Sequence, residues 1–288
     1  ALALRIYRSA MIIKNKIVED DFSQIPIRDE KHARAVILGY FSKVRNQVVS
    51  NKSNHALNDL INRTKSRSKQ YKLALKLQRN ISGDLLIEEK VIKNGRGKSE
   101  ITEFITLGSC QLSDDDYRDY KRDGVIPVVL TTANSKDIRN CNRVQPVFGL
   151  HIHLLSRLVQ REGFLNINGV LEKLKYEIYP LMSRFMANQQ VLSGRYTLLT
   201  REAYIPMEFP GPEESPLLLS WIPRSTWTDI NKRRLNSVCG SLGHYEILAI
   251  RADQFKDDNA NIIELVIKAR GEFLWHLYGN ILATSGLN

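Results

Sequence analysis

The strongest constraint on the fold is a change in the hydrophobic period of the sequence after residue 80. Between residues 30 and 80 apolar residues recur every three or four positions, as at Ala35, Leu38 and Phe41, which predicts amphipathic helices. Residues 84–108 instead place apolar and β-branched residues on both sides of "NGRG", which is typical of a β-hairpin. Helices followed by an antiparallel hairpin predict an α+β protein.

The patterns after residue 150 predict helices, then strands, then further helices. The aperiodic stretch 135–147 separates them from the N-terminal part and is the candidate boundary. We therefore expect a basic, mostly helical region with a hairpin over residues 1–140. A helix-plus-antiparallel-sheet domain is expected over residues 141–288. The stretch 259–282 is apolar and predicts a long C-terminal helix.

The positive charge is concentrated in the first third of the chain. The formal net charge is +11, and residues 1–100 hold 21 Lys and Arg against 10 Asp and Glu, whereas the remainder is balanced. Such a region suits a polyanion, because each neutralised phosphate releases counterions. The candidate nucleic-acid-binding residues are the cations of the densest basic segment: Arg63, Lys65, Arg67, Lys69, Lys72, Lys76 and Arg79. Tyr71 lies between them in the sequence. The alternative is a solvated face that binds nothing specific.

Membrane insertion and secretion are not expected. No run approaches the roughly 18 apolar residues of a membrane span, and Arg5 and Arg8 interrupt the opening where a signal peptide would be apolar. Cys110, Cys141 and Cys239 are odd in number and form no C-x-x-C pair, which favours reduced thiols. We expect a cytoplasmic protein.

Residues 150–162, "LHIHLLSRLVQRE", carry the candidate catalytic residues. On a helix, His153, Arg157 and Arg161 lie four residues apart and share one face, with Gln160 beside them and leucines on the other side. A histidine transfers a proton near neutral pH, and arginines bind phosphate and stabilise its transition state. This combination suits phosphodiester cleavage without a metal or cofactor. The alternative is a half-buried histidine beside two arginines in ordinary ion pairs.

Two short patterns in the sequence resemble a metal site and a phosphate-binding loop. His151 and His153 form H-x-H, which on a strand would point both rings to one face as metal ligands, but no third ligand lies nearby in the sequence. The "GRGKS" of the hairpin lacks the first glycine of a phosphate-binding loop, because Ile92 stands in its place. We therefore expect neither a metal site nor a nucleoside triphosphate site.

The string "HLLSRLVQR", followed by a helix, "YTLLTREAYIP" and "LLLSWIPRSTW", resembles bacterial toxin-type ribonucleases of the barnase, EndoU and RelE-like class. The resemblance covers about residues 147–240. It implies that His153 is the base or acid and that Arg157 and Arg161 are phosphate ligands. It further implies that Ser225 or Thr226, on a late strand, is a polar contributor to the site. From their positions in the sequence, His151 and Gln160 are possible additional site residues.

These observations lead to three expectations of function. The first is a metal-independent endoribonuclease, a toxin or defence effector, with RNA rather than DNA as its partner and a protein inhibitor or antitoxin as a second partner. The alternative is a non-catalytic nucleic-acid-binding protein of a plasmid, phage or mobile element. The third is a scaffold whose charge serves solvation.

Overall fold

Helices and strands succeed one another along the chain in the order expected for an α+β protein. The structure is a computed structural model that describes residues 27–94, 99–108, 114–136, 144–163, 167–186, 193–200, 202–211, 214–226, 228–229, 246–251 and 266–269. The α-helices are α1 (Glu30–Val49), α2 (Lys52–Arg63), α3 (Arg67–Ser82), α4 (Asp114–Asp123), α5 (Ile152–Glu162), α6 (Ile167–Lys173) and α7 (Tyr179–Met186). A π-helical turn, Leu174–Ile178, joins α6 to α7, and 3₁₀ turns lie at Gly83–Leu85 and Arg224–Thr226. The strands are β1 (Leu86–Asn94), β2 (Ser99–Leu107), β3 (Val125–Asn134), β4 (Val144–His151), β5 (Gly194–Leu199), β6 (Ala203–Phe209), β7 (Leu217–Leu218), β8 (Ile222–Pro223), β9 (Glu246–Arg251) and β10 (Val266–Ala269).

Helix α1 is anchored at its N-terminus and along one face. The side chain of Asp29 caps it by accepting a hydrogen bond from the backbone N–H of His32 at 2.8 Å. Ala33, Ile37 and Phe41, each four residues apart, are buried in the core. The first turn of α1 is therefore fixed against the rest of the protein.

Ten strands of the described chain form one sheet in the order β1-β2-β3-β4-β7-β6-β5-β9-β10, and β8 pairs with β6. The pairs are antiparallel except β4 with β7, where Gly149 and Leu150 pair in parallel with Leu217 and Leu218. The predicted domain boundary at residue 140 lies outside the described residues, between β3 and β4, which pair with each other. The division into two domains stays a prediction.

The two faces of the β1–β3 part of the sheet pack against different helices. Side chains alternate between faces along a strand. On β2, Phe104 packs with Tyr71 of α3, whereas the neighbouring Ile105 belongs to the main core, which also contains Phe41 of α1 and Leu154 of α5. Helix α3 therefore covers one face, and α1 and α5 lie on the other.

The α+β class and the hairpin, formed by β1 and β2, are confirmed. The C-terminal helix predicted over residues 259–282 is wrong at 266–269, because Val266–Ala269 is a strand paired with β9. The rest of that stretch lies outside the described residues. Apolar runs of this kind suit buried strands and buried helices equally. None of the helices in the described ranges has the length and apolarity to cross a lipid bilayer.

Candidate functional site

Helix α5 begins where β4 ends, two residues later than predicted. His151 is the last residue of β4 and caps α5, because its Nδ1 accepts a hydrogen bond from the backbone N–H of His153 at 3.1 Å. Gly163 ends the helix in the left-handed conformation, with φ of 66°. His151 therefore belongs to a strand and His153 to a helix, so the H-x-H pattern does not place both rings on one strand face.

The apolar face of α5 is buried and its polar face reaches solvent, as the periodicity predicts. Leu154, Leu155, Leu158 and Val159 are buried in the main core. Arg161 is exposed, and the side chains of His153 and Arg157 are 37% and 31% exposed. The polar row therefore reaches solvent but lies partly under neighbouring groups.

The partner of this row is Glu30, the first residue of α1. One carboxylate oxygen bonds to Nδ1 of His153, and the other lies 2.8 Å from Nη2 of Arg157. The glutamate side chain is itself 35% exposed. Glu30, His153 and Arg157 are called the Glu30 cluster below. It joins two helices that are separated by more than 100 residues of sequence.

The contact with Glu30 sets the chemistry available to His153. A carboxylate only accepts hydrogen bonds, so the neutral imidazole donates its proton from Nδ1. Nε2 is then the nitrogen with a free electron pair. A carboxylate that orients a histidine in this way also stabilises the imidazolium that forms when Nε2 takes a proton. The Glu30 cluster is therefore suited to general base catalysis beside a guanidinium.

His151 lies next to this cluster. Its ring centroid is 6.4 Å from that of His153. The pKa of His151 is lowered, first because the ring is partly buried and then because His153 and the guanidinium of Arg34 lie close to it. His151 therefore favours the neutral form more than an exposed histidine does.

Arg161 extends the row towards the β7–β8 region. It donates a hydrogen bond through Nη1 to the backbone carbonyl oxygen of Trp221 at 3.0 Å. Its pKa is lowered, mainly by partial burial and also by repulsion from Arg157. Trp221 is fully buried, and its indole N–H donates to Glu162 at 2.8 Å. The position of Arg161 is thus set by a well-anchored residue.

The remaining predicted site residues do not join this cluster. Gln160 is exposed on the neighbouring position of α5. Ser225 and Thr226 lie in an exposed 3₁₀ turn after β8, where the Thr226 hydroxyl donates to the carbonyl of Pro223 at 2.8 Å. The expected placement of these hydroxyls on a late strand is therefore wrong, because the strand ends at Pro223.

The basic residues predicted to bind nucleic acid form an exposed surface on α2, α3 and the turn between them. The α2–α3 cationic surface comprises Arg63, Lys65, Arg67, Lys69, Lys72, Lys76 and Arg79, all exposed. Arg79 forms an ion pair with Glu89 of β1, with Nη2 and Oε1 2.6 Å apart. The other six make no ion pair within the part of the chain that the structure describes. No carboxylate of the described ranges therefore pairs with their charge.

Tyr71 does not belong to this surface, although it lies among the cations in the sequence. Its ring is 7% exposed, and its hydroxyl is 2.8 Å from the Thr102 hydroxyl of β2. The residue is the core-facing position of α3. The α2–α3 cationic surface therefore presents charge from α3 without this aromatic ring.

The α2–α3 cationic surface and the Glu30 cluster lie on opposite faces of the β1–β3 sheet. Helix α3 packs on the face that contains Phe104, and α1 and α5 pack on the face that contains Ile105. A ligand that lies flat on the α2–α3 cationic surface does not reach His153 directly.

Glu30, Arg34 and Trp221 surround the predicted residues but were not predicted. Glu30 and Arg34 are spaced by four on α1, like His153 and Arg157 on α5, and this matching spacing is a weak sign that two polar faces oppose each other. Trp221 follows a short strand and carries no motif. Apart from this matching spacing, no pattern in the sequence relates these three residues to α5.

Comparisons with known proteins give no family for this arrangement. No protein-family model, curated protein or solved structure matches the chain. Within the residue ranges given above, no group of three or more His, Cys, Asp and Glu side chains is arranged to hold a metal ion.

Proposed function

We propose that this protein is a metal-independent endoribonuclease in which His153 transfers the proton and Arg157 and Arg161 bind the scissile phosphate. The observation that supports this proposal is the contact of Glu30 with both His153 Nδ1 and Arg157. It leaves Nε2 as the basic nitrogen and holds a guanidinium one helical turn away.

The proposed reaction is an internal transesterification. The 2′ oxygen of RNA forms a bond to phosphorus while its proton passes to Nε2 of His153. The bond between phosphorus and the 5′ oxygen breaks, and the departing oxygen takes a proton from water. The hydroxide left behind takes the proton from Nε2, which returns His153 to its neutral form. The products are a 2′,3′-cyclic phosphate and a 5′-hydroxyl end. Arg157 and Arg161 stabilise the charge that develops on the phosphoryl oxygens.

Cleavage of a fluorescently labelled RNA by the purified chain tests this proposal. His153→Gln keeps an amide that can donate to Glu30 but cannot transfer a proton, so the rate is expected to fall by about 100-fold or more. Arg157→Lys keeps the charge but loses the planar fork, and is also expected to slow cleavage. Gln160→Ala, on the same helix and exposed, is the control with an unchanged rate. Cleavage in the presence of EDTA should be undiminished.

A rate that is equal in His153→Gln and the wild type would refute the assignment of His153. A purified chain that cleaves neither RNA nor DNA would refute the endoribonuclease proposal. As a toxin, the active chain should arrest growth when it is expressed in the cytoplasm, whereas His153→Gln should be tolerated. A protein inhibitor would then be sought as the factor that restores growth.

A non-catalytic nucleic-acid-binding protein is the second candidate function, and the α2–α3 cationic surface favours it. Six exposed cations without an ion pair within the described ranges give a surface that phosphates would neutralise. Binding without cleavage, with unchanged affinity in His153→Gln, would favour this candidate over the first.

A further inference from the structure

Arg34 and His151 direct polar nitrogens at the same small region beside the Glu30 cluster. Gly124, between α4 and β3, has a φ of +69°. A Cβ atom built on it would lie 3.3 Å from Cγ2 of Ile152, 3.6 Å from Nη2 of Arg34 and 3.8 Å from Nε2 of His151. Both nitrogens therefore approach one point above a residue that has no side chain.

Neither nitrogen has a hydrogen-bond acceptor among the described residues. Arg34 is exposed and forms no ion pair there, and the only hydrogen bond of the His151 ring among those residues is made through Nδ1. Glu30, one turn before Arg34 on α1, uses its two oxygens for His153 and Arg157. The carboxylate one turn before Arg34 on α1 is therefore already bonded to residues of α5.

The charges around this point are mainly positive. Arg34 on α1 lies close enough to His151 to lower its pKa, and Arg157 has the same effect on Arg161 of α5. Among the described residues, Glu30 is the one carboxylate that forms ion pairs with His153 and Arg157. An anion placed between Arg34 and His151 would receive a planar guanidinium and an imidazole N–H at once. Such donors suit the oxygens of a phosphate group.

We infer that Arg34 and His151 form a phosphate subsite next to His153, which binds a phosphate adjacent to the scissile one in an RNA strand. This inference rests on the proposed ribonuclease activity for its biological role, but the binding of phosphate itself does not. Three parts of the chain make the subsite: α1 supplies Arg34, the end of β4 supplies His151, and Gly124 places no side chain between their nitrogens.

Titration with inorganic phosphate tests the subsite without any cleavage. The imidazole signals of His151 in NMR spectra should shift with phosphate in the wild type, at constant ionic strength set with chloride. Arg34→Gln should weaken this binding by about tenfold, the effect of removing one charge-assisted contact. Lys31→Gln, an exposed cation on the same helix, is the control with unchanged binding.

His151→Asn is a second test variant, and it keeps a side chain that can cap α5. Asparagine remains a good N-cap for α5, while the ring nitrogen Nε2 is lost. Phosphate binding, followed by the signals of Arg34, should weaken in this variant. His151 signals that do not move with phosphate, or that move equally in Arg34→Gln, would refute the subsite.

Different results would refute the phosphate subsite and the ribonuclease activity. If RNA is cleaved, Arg34→Gln should raise KM for an oligonucleotide but leave a dinucleoside monophosphate, which has no second phosphate, unaffected. An equal effect on both substrates would refute the subsite and leave the ribonuclease standing. Phosphate binding that depends on Arg34 in a chain that cleaves no RNA would support the subsite and refute the ribonuclease.

Discussion

Glu103→Gln is expected to stabilise the protein at neutral pH. Glu103 lies on β2 and is 7% exposed, with Lys90 of β1 directly opposite in the strand register. Burial raises its pKa from 4.5 to about 6; the nearby Lys90 opposes this rise, and Glu88 adds to it. A carboxyl group with a raised pKa is more costly to ionise in the folded protein than in the unfolded chain.

The size of the effect follows from the two pKa values. The difference between 4.5 and about 6 corresponds to about 2 kcal/mol of unfolding free energy. Between these values the folded protein binds more protons than the unfolded chain, so stability falls as the pH rises through this window. The penalty is complete above about pH 6 and absent well below pH 4.5. Glutamine has nearly the same shape and carries no charge, so it should remove most of the penalty.

Urea unfolding at pH 7.5 and pH 4 measures this difference. Glu103→Gln should be more stable than the wild type at pH 7.5 by up to about 2 kcal/mol, and the gap should close at pH 4. Glu100→Gln, on the same strand with a side chain 43% exposed, is the control with a change within about 0.5 kcal/mol. A variant less stable than the wild type at pH 7.5 would mean that attraction to Lys90 outweighs burial, and would refute the reasoning.

Three further substitutions test single contacts of the structure. Glu30→Gln should slow RNA cleavage by about 100-fold, because the carboxylate that supports protonated His153 is lost, and the circular dichroism spectrum should be unchanged. Trp221→Phe removes the indole N–H that donates to Glu162 and should lower the unfolding free energy by about 1–3 kcal/mol in urea titrations. Tyr71→Phe should cost about 1 kcal/mol of stability without altering RNA affinity in a filter-binding assay, because the ring is buried. A weaker affinity in the last variant would place the hydroxyl in the interface.

Much of the local structure could be predicted because it depends on periodicity. The spacing of His153 and Arg157 by four fixes their common face on any helix, and the leucines fix which side is buried. The strand Val266–Ala269 was missed, because a short apolar run does not distinguish a strand from a helix when its partner is unknown. Its assignment depends on pairing with β9, which is a tertiary contact.

The partner of the polar row could not be predicted for a similar reason. Glu30 meets His153 only because α1 packs on the same face of the sheet as α5. The burial of Tyr71 is likewise decided by the docking of α3 on β2. Both facts follow from which face of the sheet each helix covers, and local sequence patterns do not determine this.

The separation of the α2–α3 cationic surface from the Glu30 cluster predicts that binding and cleavage respond to different substitutions. The variant in which Lys69, Lys72 and Lys76 are all changed to Gln removes from α3 three exposed cations that form no ion pair with any described residue. Its affinity for long RNA should fall, and the log–log dependence of affinity on salt should flatten by about 2 to 3. Lys31, Lys136 and Lys175 are scattered and exposed, so changing them to Gln is a control with equal loss of charge.

Cleavage of a dinucleoside monophosphate should be unchanged in the Lys69, Lys72 and Lys76 variant. A substrate of this size that occupies the Glu30 cluster does not reach around the sheet to α3, so it loses no contact. The variant should therefore raise KM for long RNA while kcat stays the same, because the lost contacts are equal in the ground state and the transition state. A lower kcat on the short substrate would show that the two faces are coupled. If the variant and its control bind long RNA with equal affinity, α3 does not lie in the interface. The affinity would then depend on how many charges are lost and not on where they are lost.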